Sequence, residues 1–209
     1  MDQNNPADNH LVATRVLEWA GHIGDPDTEI ELLTRFHGWL ATEALEAGGI
    51  GPDESKRLWR RHIADSLTFL PSLTGMRSIV DVGSGVGLPG IPLAIVLSDV
   101  EITLLDRSER RCRLARRAIR ILQLDNVAVL QGDAKLLSLP HEAAVSRATL
   151  PLNEFFAAAR LLLPRGRLAV AAGGFDSEES VPHDGWDTVE VPPHVLGVAS
   201  WLAKVSLSS

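Results

Sequence analysis

The stretch of this chain best suited to hold a ligand is a glycine-rich turn that follows a short apolar run. Residues 78–90 read SIVDVGSGVGLPG. The β-branched residues predict a buried strand, and the glycines allow backbone conformations that strain any residue with a Cβ. A turn between a strand and a helix presents backbone N–H groups to an anionic or polar cofactor. The candidate cofactor contacts here are Asp81, Gly83, Gly85 and Gly87.

The glycine spacing fits two motifs that bind different cofactors. The frame that starts at Gly85 matches the dinucleotide fingerprint, but Pro89 then precedes its third glycine and keeps the helix from starting within the turn. The frame that starts at Gly83 directly follows the strand that carries Asp81, whose carboxylate suits a cationic ligand better than a pyrophosphate. We therefore favour S-adenosylmethionine over NAD. A structural turn without a ligand is the third reading.

Two further acidic residues follow predicted strands. Asp106 ends the second strand, where a carboxylate can accept both ribose hydroxyls of an adenosine cofactor, and the alternative is a helix N-cap. Asp133 follows the third strand, where it would either accept the exocyclic amine of adenine or cap a turn. We favour the ribose role for Asp106 and leave both readings of Asp133 open.

The basic residues are concentrated in two short segments. The net charge of −7 argues against binding of nucleic acid through the overall field of the protein, but it leaves room for a local patch. One segment supplies the candidate RNA contacts Arg57, Arg60 and Arg61. The other forms a stripe on one helix face, which is either a solvated surface or a contact with the RNA backbone. Its members are Arg110, Arg113, Arg117 and Arg120.

The order of the predicted elements indicates a helical segment followed by an α/β domain. Residues 1–9 are expected to be disordered, residues 10–75 to form a helical cap, and residues 76–209 to form the cofactor-binding domain. Strands are predicted at 79–82, 101–105, 127–130, 143–146 and 167–172, with helices at 91–97, 109–122 and 153–163. This alternation predicts a parallel sheet covered on both faces. Two last strands, at 186–191 and 201–207, predict an antiparallel hairpin.

A mostly parallel sheet that ends in an antiparallel hairpin is the layout of class I S-adenosylmethionine-dependent methyltransferases, which are Rossmann-like. Composition agrees with a globular chain, because 45% of the 209 residues are apolar. No apolar run is long enough to cross a bilayer, residues 1–9 are polar, and the lone Cys112 cannot form an intramolecular disulfide. We expect a cytoplasmic protein with no membrane segment and no metal site.

Several motifs together resemble one family, the bacterial 16S rRNA guanine-N7 methyltransferases known as RsmG or GidB. The most specific is DVGSGVGLPGIPLAI at 81–95, and LLD ends at Asp106. Two further matches are Ser146-Arg147-Ala148 after the fourth strand and, in the third helix, Arg61-His62 with Asp65-Ser66. The resemblance implies methyl transfer from S-adenosylmethionine to N7 of guanine 527 of 16S rRNA in the small ribosomal subunit.

The resemblance also implies roles for individual residues. Cofactor contacts are expected from Gly83 and Leu88 in the turn, Ala134 and Lys135 near the adenine, and Arg147. His62, Asp65 and Ser66 are expected on the substrate side, where His62 is otherwise a structural histidine. No catalytic base is expected, because guanine N7 presents a lone pair and carries no proton. The oligomeric state is not fixed by the sequence, and a monomer is our expectation.

Several positions depart from the family pattern, and three of them bear on the identity of the target. Lys135 stands where the family usually has a glutamate, Ala44 where it has a polar residue, and Ala172 where it has a lysine. A changed target is therefore an alternative, as is a catalytically silent cofactor-binding module associated with ribosomes. A dinucleotide-binding oxidoreductase of the NAD type is the runner-up from another class.

Overall fold

The first part of the chain is helical but irregular. The computed structural model describes residues 6–175, 177, 180–181 and 185–207. Two long helices come first, and several short turns of 3-10, π and α type follow. The elements are α1 (Pro6–Trp19), α2 (Pro26–Trp39), a π turn (Leu40–Ala44), a 3-10 turn (Pro52–Arg57), a π segment (Leu58–Ala64), α3 (Asp65–Leu67) and a 3-10 turn (Leu70–Leu73).

A seven-stranded sheet forms the second part. The strands are β1 (Ser78–Val82), β2 (Glu101–Asp106), β3 (Val127–Gln131), β4 (Ala143–Arg147), β5 (Leu168–Phe175), β6 (Asp187–Val191) and β7 (Ser200–Ser206). Their order is β3-β2-β1-β4-β5-β7-β6. The first five strands are parallel, and β7 runs antiparallel to both β5 and β6. The predicted parallel sheet with a terminal antiparallel hairpin is confirmed.

Helices cover both faces of this sheet. They are α4 (Gly90–Val96), α5 (Glu109–Leu122), a 3-10 turn (Ala134–Leu136), α6 (Leu152–Leu162) and α7 (Pro193–Leu196). Alternate strand residues enter opposite cores: Ile79 joins a cluster with the N-terminal helices, whereas Val80 joins a cluster with α6. Each such buried aliphatic side chain contributes about 1.5–3 kcal/mol. The order of the strands reverses between β1 and β4, and ligands of open α/β sheets bind outside the carboxyl ends of strands at such a point.

Two expectations about the helical part need comment. Disorder over residues 1–9 is wrong for residues 6–9, which lie in α1, while residues 1–5 are outside the described residues. The predicted cap at 10–75 shares its hydrophobic cluster with one face of the sheet. Its division from the remaining domain stays a prediction. None of the described helices combines the length and apolar character that a bilayer span requires.

Candidate functional site

The turn after β1 needs glycine at three positions. Gly83, Gly85 and Gly87 have φ angles of 74°, 59° and 103°, in the region that disfavours residues with a Cβ. A Cβ on Gly83 would overlap the side chain of Thr149, and one on Gly87 would overlap Ile91. At Gly85 a Cβ would meet no heavy atom within 4 Å. Gly85 is therefore the point at which the turn faces open space.

The backbone donors at the start of this turn are already used within the protein. The N–H groups of Gly83 and Ser84 donate to the carbonyl of Leu105 at 2.7 and 3.1 Å. The N–H of Gly85 donates to Oδ2 of Asp106 at 3.0 Å. A pyrophosphate needs such donors to be directed at the ligand. The hydrogen bonding thus disfavours a dinucleotide in this turn.

The helix begins after the turn, as the proline predicted. The N–H groups of Gly87 and Leu88 donate to the carbonyl of Ser84 at 2.8 and 2.9 Å, and Pro89 is the N-cap of α4. Leu88 is buried with 8% of its surface exposed, so a cofactor would meet it at the edge of the core. These contacts hold the turn in one conformation before any ligand binds.

Asp81 is fully buried beneath this turn. Its Oδ2 accepts a hydrogen bond from the N–H of Gly90 at 2.7 Å, whereas Oδ1 has no partner among the described residues. Burial raises the pKa of Asp81 to about 7, against the opposing effects of the Gly90 hydrogen bond and the positive charge of Arg147. A buried carboxylate oxygen without a donor favours a ligand that brings a cation or an N–H group.

Asp106 connects the glycine turn to the ends of β2 and β3. Besides the Gly85 contact, its Oδ1 accepts the N–H of Ser108 at 2.8 Å and lies 3.2 Å from Nε of Arg111. Its carbonyl accepts the N–H of Gly132 at 3.0 Å. The N-cap of α5 is Ser108, so the alternative of Asp106 as the helix N-cap is wrong. The ribose role of Asp106 stays a prediction.

The turn after β3 is capped by Asp133. Its Oδ1 accepts the N–H of Lys135 at 2.9 Å, and Ala134 is buried beside it. Nζ of Lys135 lies 3.0 Å from the carboxylate of Glu154, so this side chain is directed toward α6. Turn capping by Asp133 is therefore observed. Contacts of these three residues with adenine stay predictions.

Arg147 connects the carboxyl end of β4 to the helical segment. Its Nη1 donates to the carbonyl of Arg61 at 2.7 Å and lies 3.6 Å from Oδ2 of Asp65. Its Nη2 contacts Nδ1 of His62 at 2.8 Å. Burial lowers the pKa of Arg147, while the carboxylates of Asp65 and Asp81 oppose that effect. The structure thus joins a predicted cofactor residue to three predicted substrate residues.

The contact with Arg147 fixes the state of His62. A guanidinium can only donate, so Nδ1 of His62 accepts and Nε2 carries the proton, which it donates to Glu54 at 2.9 Å. Burial and the charge of Arg147 lower the pKa of His62 to about 4, although Glu54 acts in the opposite direction. For Asp65, burial raises the pKa despite the nearby Arg147. His62 is therefore a neutral positioning residue at neutral pH.

The other predicted RNA contacts differ in how far they are already engaged. Arg57 is exposed, and Arg61 has 60% of its side chain exposed although its Nε lies 3.3 Å from Glu54. Arg60, in contrast, pairs with Asp8 at 3.0 Å and donates to the carbonyl of Leu196. Ser66 is fully buried, and its hydroxyl donates to the carbonyl of His62. Arg60 and Ser66 thus serve the protein's own packing.

Two cavities meet beside Ala148. The larger, of about 720 Å³, lies between the helical segment and the loop before β7. The smaller, of about 550 Å³, lies between the segment after β4 and the end of β5. Both are lined by Ala148, Ala172, Gly173 and Phe175. Ala148 has a φ of 50°, an uncommon conformation for a residue with a Cβ, which is typical of functional sites.

The arginine stripe on α5 is mostly bound to the protein itself. Arg110 donates to the carbonyls of Ala47 and Gly48, and Arg117 pairs with Glu43. The stripe therefore holds α5 against the end of α2 and its π turn. Arg113 pairs with Glu109 within the helix. The buried Cys112 thiol, whose pKa is raised by burial, serves packing on the other face.

Sequence reasoning missed three residues of this region. Glu54 lies in the 3-10 turn, and His62 lies in the π segment that follows it. The junction between these two segments has no sequence signature. Phe175 lies beyond the predicted end of β5, and Trp201 is separated from it by the loop and β6. The one available signal in the sequence was Trp201, which stands at the start of a predicted strand. Among the described residues, no group of histidine, cysteine and carboxylate side chains is arranged to hold a metal.

Comparison with known proteins identifies similar sequences across most of the chain. The profile of the family described as rRNA small subunit methyltransferase G (GidB) matches residues 29–189. Relatives named ribosomal RNA small subunit methyltransferase G include one from Frankia alni, which is 37% identical over 170 residues and covers 75% of this chain. The one from Acidothermus cellulolyticus is 38% identical over 166 residues, covering 79% of this chain and 71% of the relative. The chain spans 65% of the Frankia alni relative, slightly under two thirds of its length.

Solved structures agree on the fold. A SAM dependent methyltransferase from Aquifex aeolicus matches with a TM-score of 0.51 at 18% identity, over 76% of this chain and 94% of that protein. The S-adenosylmethionine-dependent methyltransferase SibL matches with a TM-score of 0.53 at 18% identity, over 65% of this chain and 52% of that protein. The predicted class I methyltransferase fold is confirmed.

Proposed function

The chain belongs to the rRNA small subunit methyltransferase G family, as its motifs indicated, and we propose that it methylates N7 of a guanine in 16S rRNA. The target we propose is guanine 527 of the small ribosomal subunit. The methyl donor is S-adenosylmethionine, and the enzyme acts as a monomer in the cytoplasm. Its partner is 16S rRNA within the subunit and not the naked RNA.

The observation that carries this proposal is the arrangement of Asp81, Gly85 and Asp106. Two buried carboxylates flank a turn whose first N–H groups already donate to β2. We expect the buried charge of Asp81 to favour the cationic methyl donor, and we propose that Asp106 accepts its ribose hydroxyls. The same arrangement offers little to a pyrophosphate. It favours the methyl donor over NAD.

The residues present can perform this reaction by positioning alone. S-adenosylmethionine supplies an activated methyl group when it is bound. Because guanine N7 has a free lone pair, the protein need only align the base and exclude water. Arg147 lies at the carboxyl end of β4 and lines the larger cavity, where we propose that it contacts the cofactor, as the family resemblance implies. His62 and Asp65 fix its guanidinium in place.

Mapping of N7-methylguanine in ribosomes tests the proposal. Small subunits from a strain without this gene should lack the modification at guanine 527, and purified protein with S-adenosylmethionine should restore it. Cleavage at N7-methylguanine gives the readout at single-nucleotide resolution. An unchanged pattern would move the target to another RNA or a small molecule.

Calorimetric titration separates the alternative functions. The proposal expects S-adenosylmethionine and its demethylated product to bind and NAD not to bind. Binding of NAD alone would place the protein among the oxidoreductases. Binding of the methyl donor without transfer to subunits would identify a silent ribosome-associated module, and the change at Ala172 is the reason to retain that outcome.

A further inference from the structure

The larger cavity has one cationic wall and one aromatic wall. Guanidinium groups from the helical segment and from the end of β4 line it: Arg57, Arg60, Arg61 and Arg147. Phe175 of β5 and Trp201 of β7 also line the cavity, and we call this pair its aromatic wall. Asp65 also lines the cavity, but it is paired with Arg147. Arg60 and Arg61 pair with Asp8 and Glu54, so Arg57 and the largely exposed Arg61 are the most accessible of these cations beside the two aromatic rings.

A β-bulge builds the aromatic wall. The pairing between β5 and β7 shifts register between Ala172 and Phe175, which places Phe175 directly opposite Trp201. The ring of Phe175 lies over Gly173, where a Cβ would overlap it. Bulges beside binding sites commonly redirect a side chain. Here the bulge lies at the end of β5 that lines the cavity.

Both rings are held by the protein while they remain accessible. Phe175 and Trp201 are half-buried and pack against the hydrophobic cluster that α6 forms with the sheet. Trp201 is also paired with Glu190 of β6, so its backbone is fixed on both sides. Aromatic rings that are anchored in this way lose little conformational freedom when a ligand stacks on them.

We propose that Phe175 and Trp201 form a stacking surface for an unpaired base of the RNA substrate. This inference rests on the proposed function and adds the specific residues that receive the RNA. Proteins bind single-stranded RNA by combining guanidinium groups for the phosphates with aromatic faces for the bases. The volume of about 720 Å³ lies within the range of pockets that bind molecules of nucleotide size. The antiparallel hairpin thus belongs to the substrate site.

Stacking predicts a different signature from phosphate binding. A base that stacks on a ring releases no counterions, so loss of the ring should weaken binding without changing its salt dependence. With subunits that lack the modification as substrate, Trp201→Ala and Phe175→Ala should each lower kcat/KM by on the order of 10- to 100-fold. Trp201→Phe, which keeps an aromatic face, should stay within a few-fold of the wild type. Trp19→Ala is the matched control, because Trp19 is also half-buried but lies outside both described cavities.

Calorimetry with S-adenosylhomocysteine verifies that each variant is folded and keeps its cofactor site. The proposal is supported if Trp201→Ala loses activity with unchanged cofactor affinity and salt slope, and Trp201→Phe retains it. It is overturned if both alanine variants keep wild-type kcat/KM, or if Trp201→Phe is as defective as Trp201→Ala. If the wild-type protein itself fails to methylate the subunits, the proposed function is wrong, and the stacking surface for RNA is withdrawn with it.

Discussion

The glycine-turn side of this molecule and the cavity side are built in different ways. On the turn side, short contacts run between the ends of adjacent parallel strands, as from Gly85 to Asp106. On the cavity side, Arg147 reaches across to His62 and Asp65 in irregular helical turns. The first arrangement depends on a regular fold, whereas the second depends on a few buried polar contacts between distant segments. A single substitution should therefore have wider effects on the cavity side.

The largest expected effect comes from Arg147→Ala. It leaves Asp65 and His62 without their shared buried partner and should lower the free energy of unfolding by about 3 kcal/mol. Because the same guanidinium faces the cavity, methylation of subunits should fall as well. Urea denaturation measures the first effect. Arg167→Ala, which removes a more exposed arginine 3.9 Å from Glu142, is the control and should change stability by less than about 1 kcal/mol.

The turn side should respond more locally to Gly85→Val. The new side chain enters the space beside the turn, so affinity for S-adenosylmethionine should fall by about 100-fold, or about 2.7 kcal/mol. Gly21→Val is the control, because Gly21 has a similar φ of 63° and also faces open space. The two variants should lose similar stability from backbone strain. Equal cofactor affinity in the two variants would show that the cofactor does not bind beside this turn.

The pH dependence of cofactor affinity should further distinguish the glycine-turn side from the cavity side. The pKa of Asp81 is about 7 in the free protein, and a cationic ligand binds better to its ionised form. Affinity for S-adenosylmethionine should therefore level off about one unit above pH 7 and fall by about tenfold per pH unit well below it. Titration calorimetry from about pH 5.5 to about pH 8.5, roughly 1.5 units on either side of this pKa, measures both the plateau and the slope. Asp81→Asn should remove this dependence, and an equally steep slope in that variant would exclude Asp81 as its source.

The smallest effect concerns the exposed cations at the edge of the cavity. Replacing Arg57 and Arg61 by alanine should reduce the slope of log affinity for subunits against log salt by roughly 0.7–0.9 per lost phosphate contact. Cofactor affinity should remain unchanged. Arg113→Ala is the control, because Arg113 pairs with Glu109 within α5 and does not line the cavity. An unaltered slope in the Arg57 and Arg61 variants would mean that RNA binds elsewhere.

The same contrast explains what the sequence could predict. Strand β1, the glycine turn and the start of α4 follow from β-branched residues, glycines and Pro89, all of which act over a few residues. The helix α5 was predicted with its bounds at Glu109 and Leu122 because its apolar face is regular. Local patterns of this kind determine local structure, and parallel strands then bring their ends together.

The cavity side could not be derived in this way. The third helix of the predicted cap, which carries His62 and Asp65, is divided among 3-10, π and α turns, and this division brings Glu54 to His62. The bulge that moves Phe175 opposite Trp201 depends on pairing between strands that are distant in sequence. The arginines of α5 illustrate the same limit, since their spacing is regular but Arg110 and Arg117 bind residues 43–48, which are distant in sequence. Tertiary contacts decided each of these outcomes.

Ala148, which follows β4, makes the backbone of the site more rigid but lowers the stability of the fold. A left-handed backbone costs an L-residue roughly 1–2 kcal/mol, and glycine at this position would avoid that cost. Glycine would also loosen the main chain between Arg147 and Thr149, which contact the helical segment and the glycine turn. The methyl group of Ala148 thus restricts the backbone that connects the helical segment to the glycine turn. This restriction lowers the stability of the folded protein.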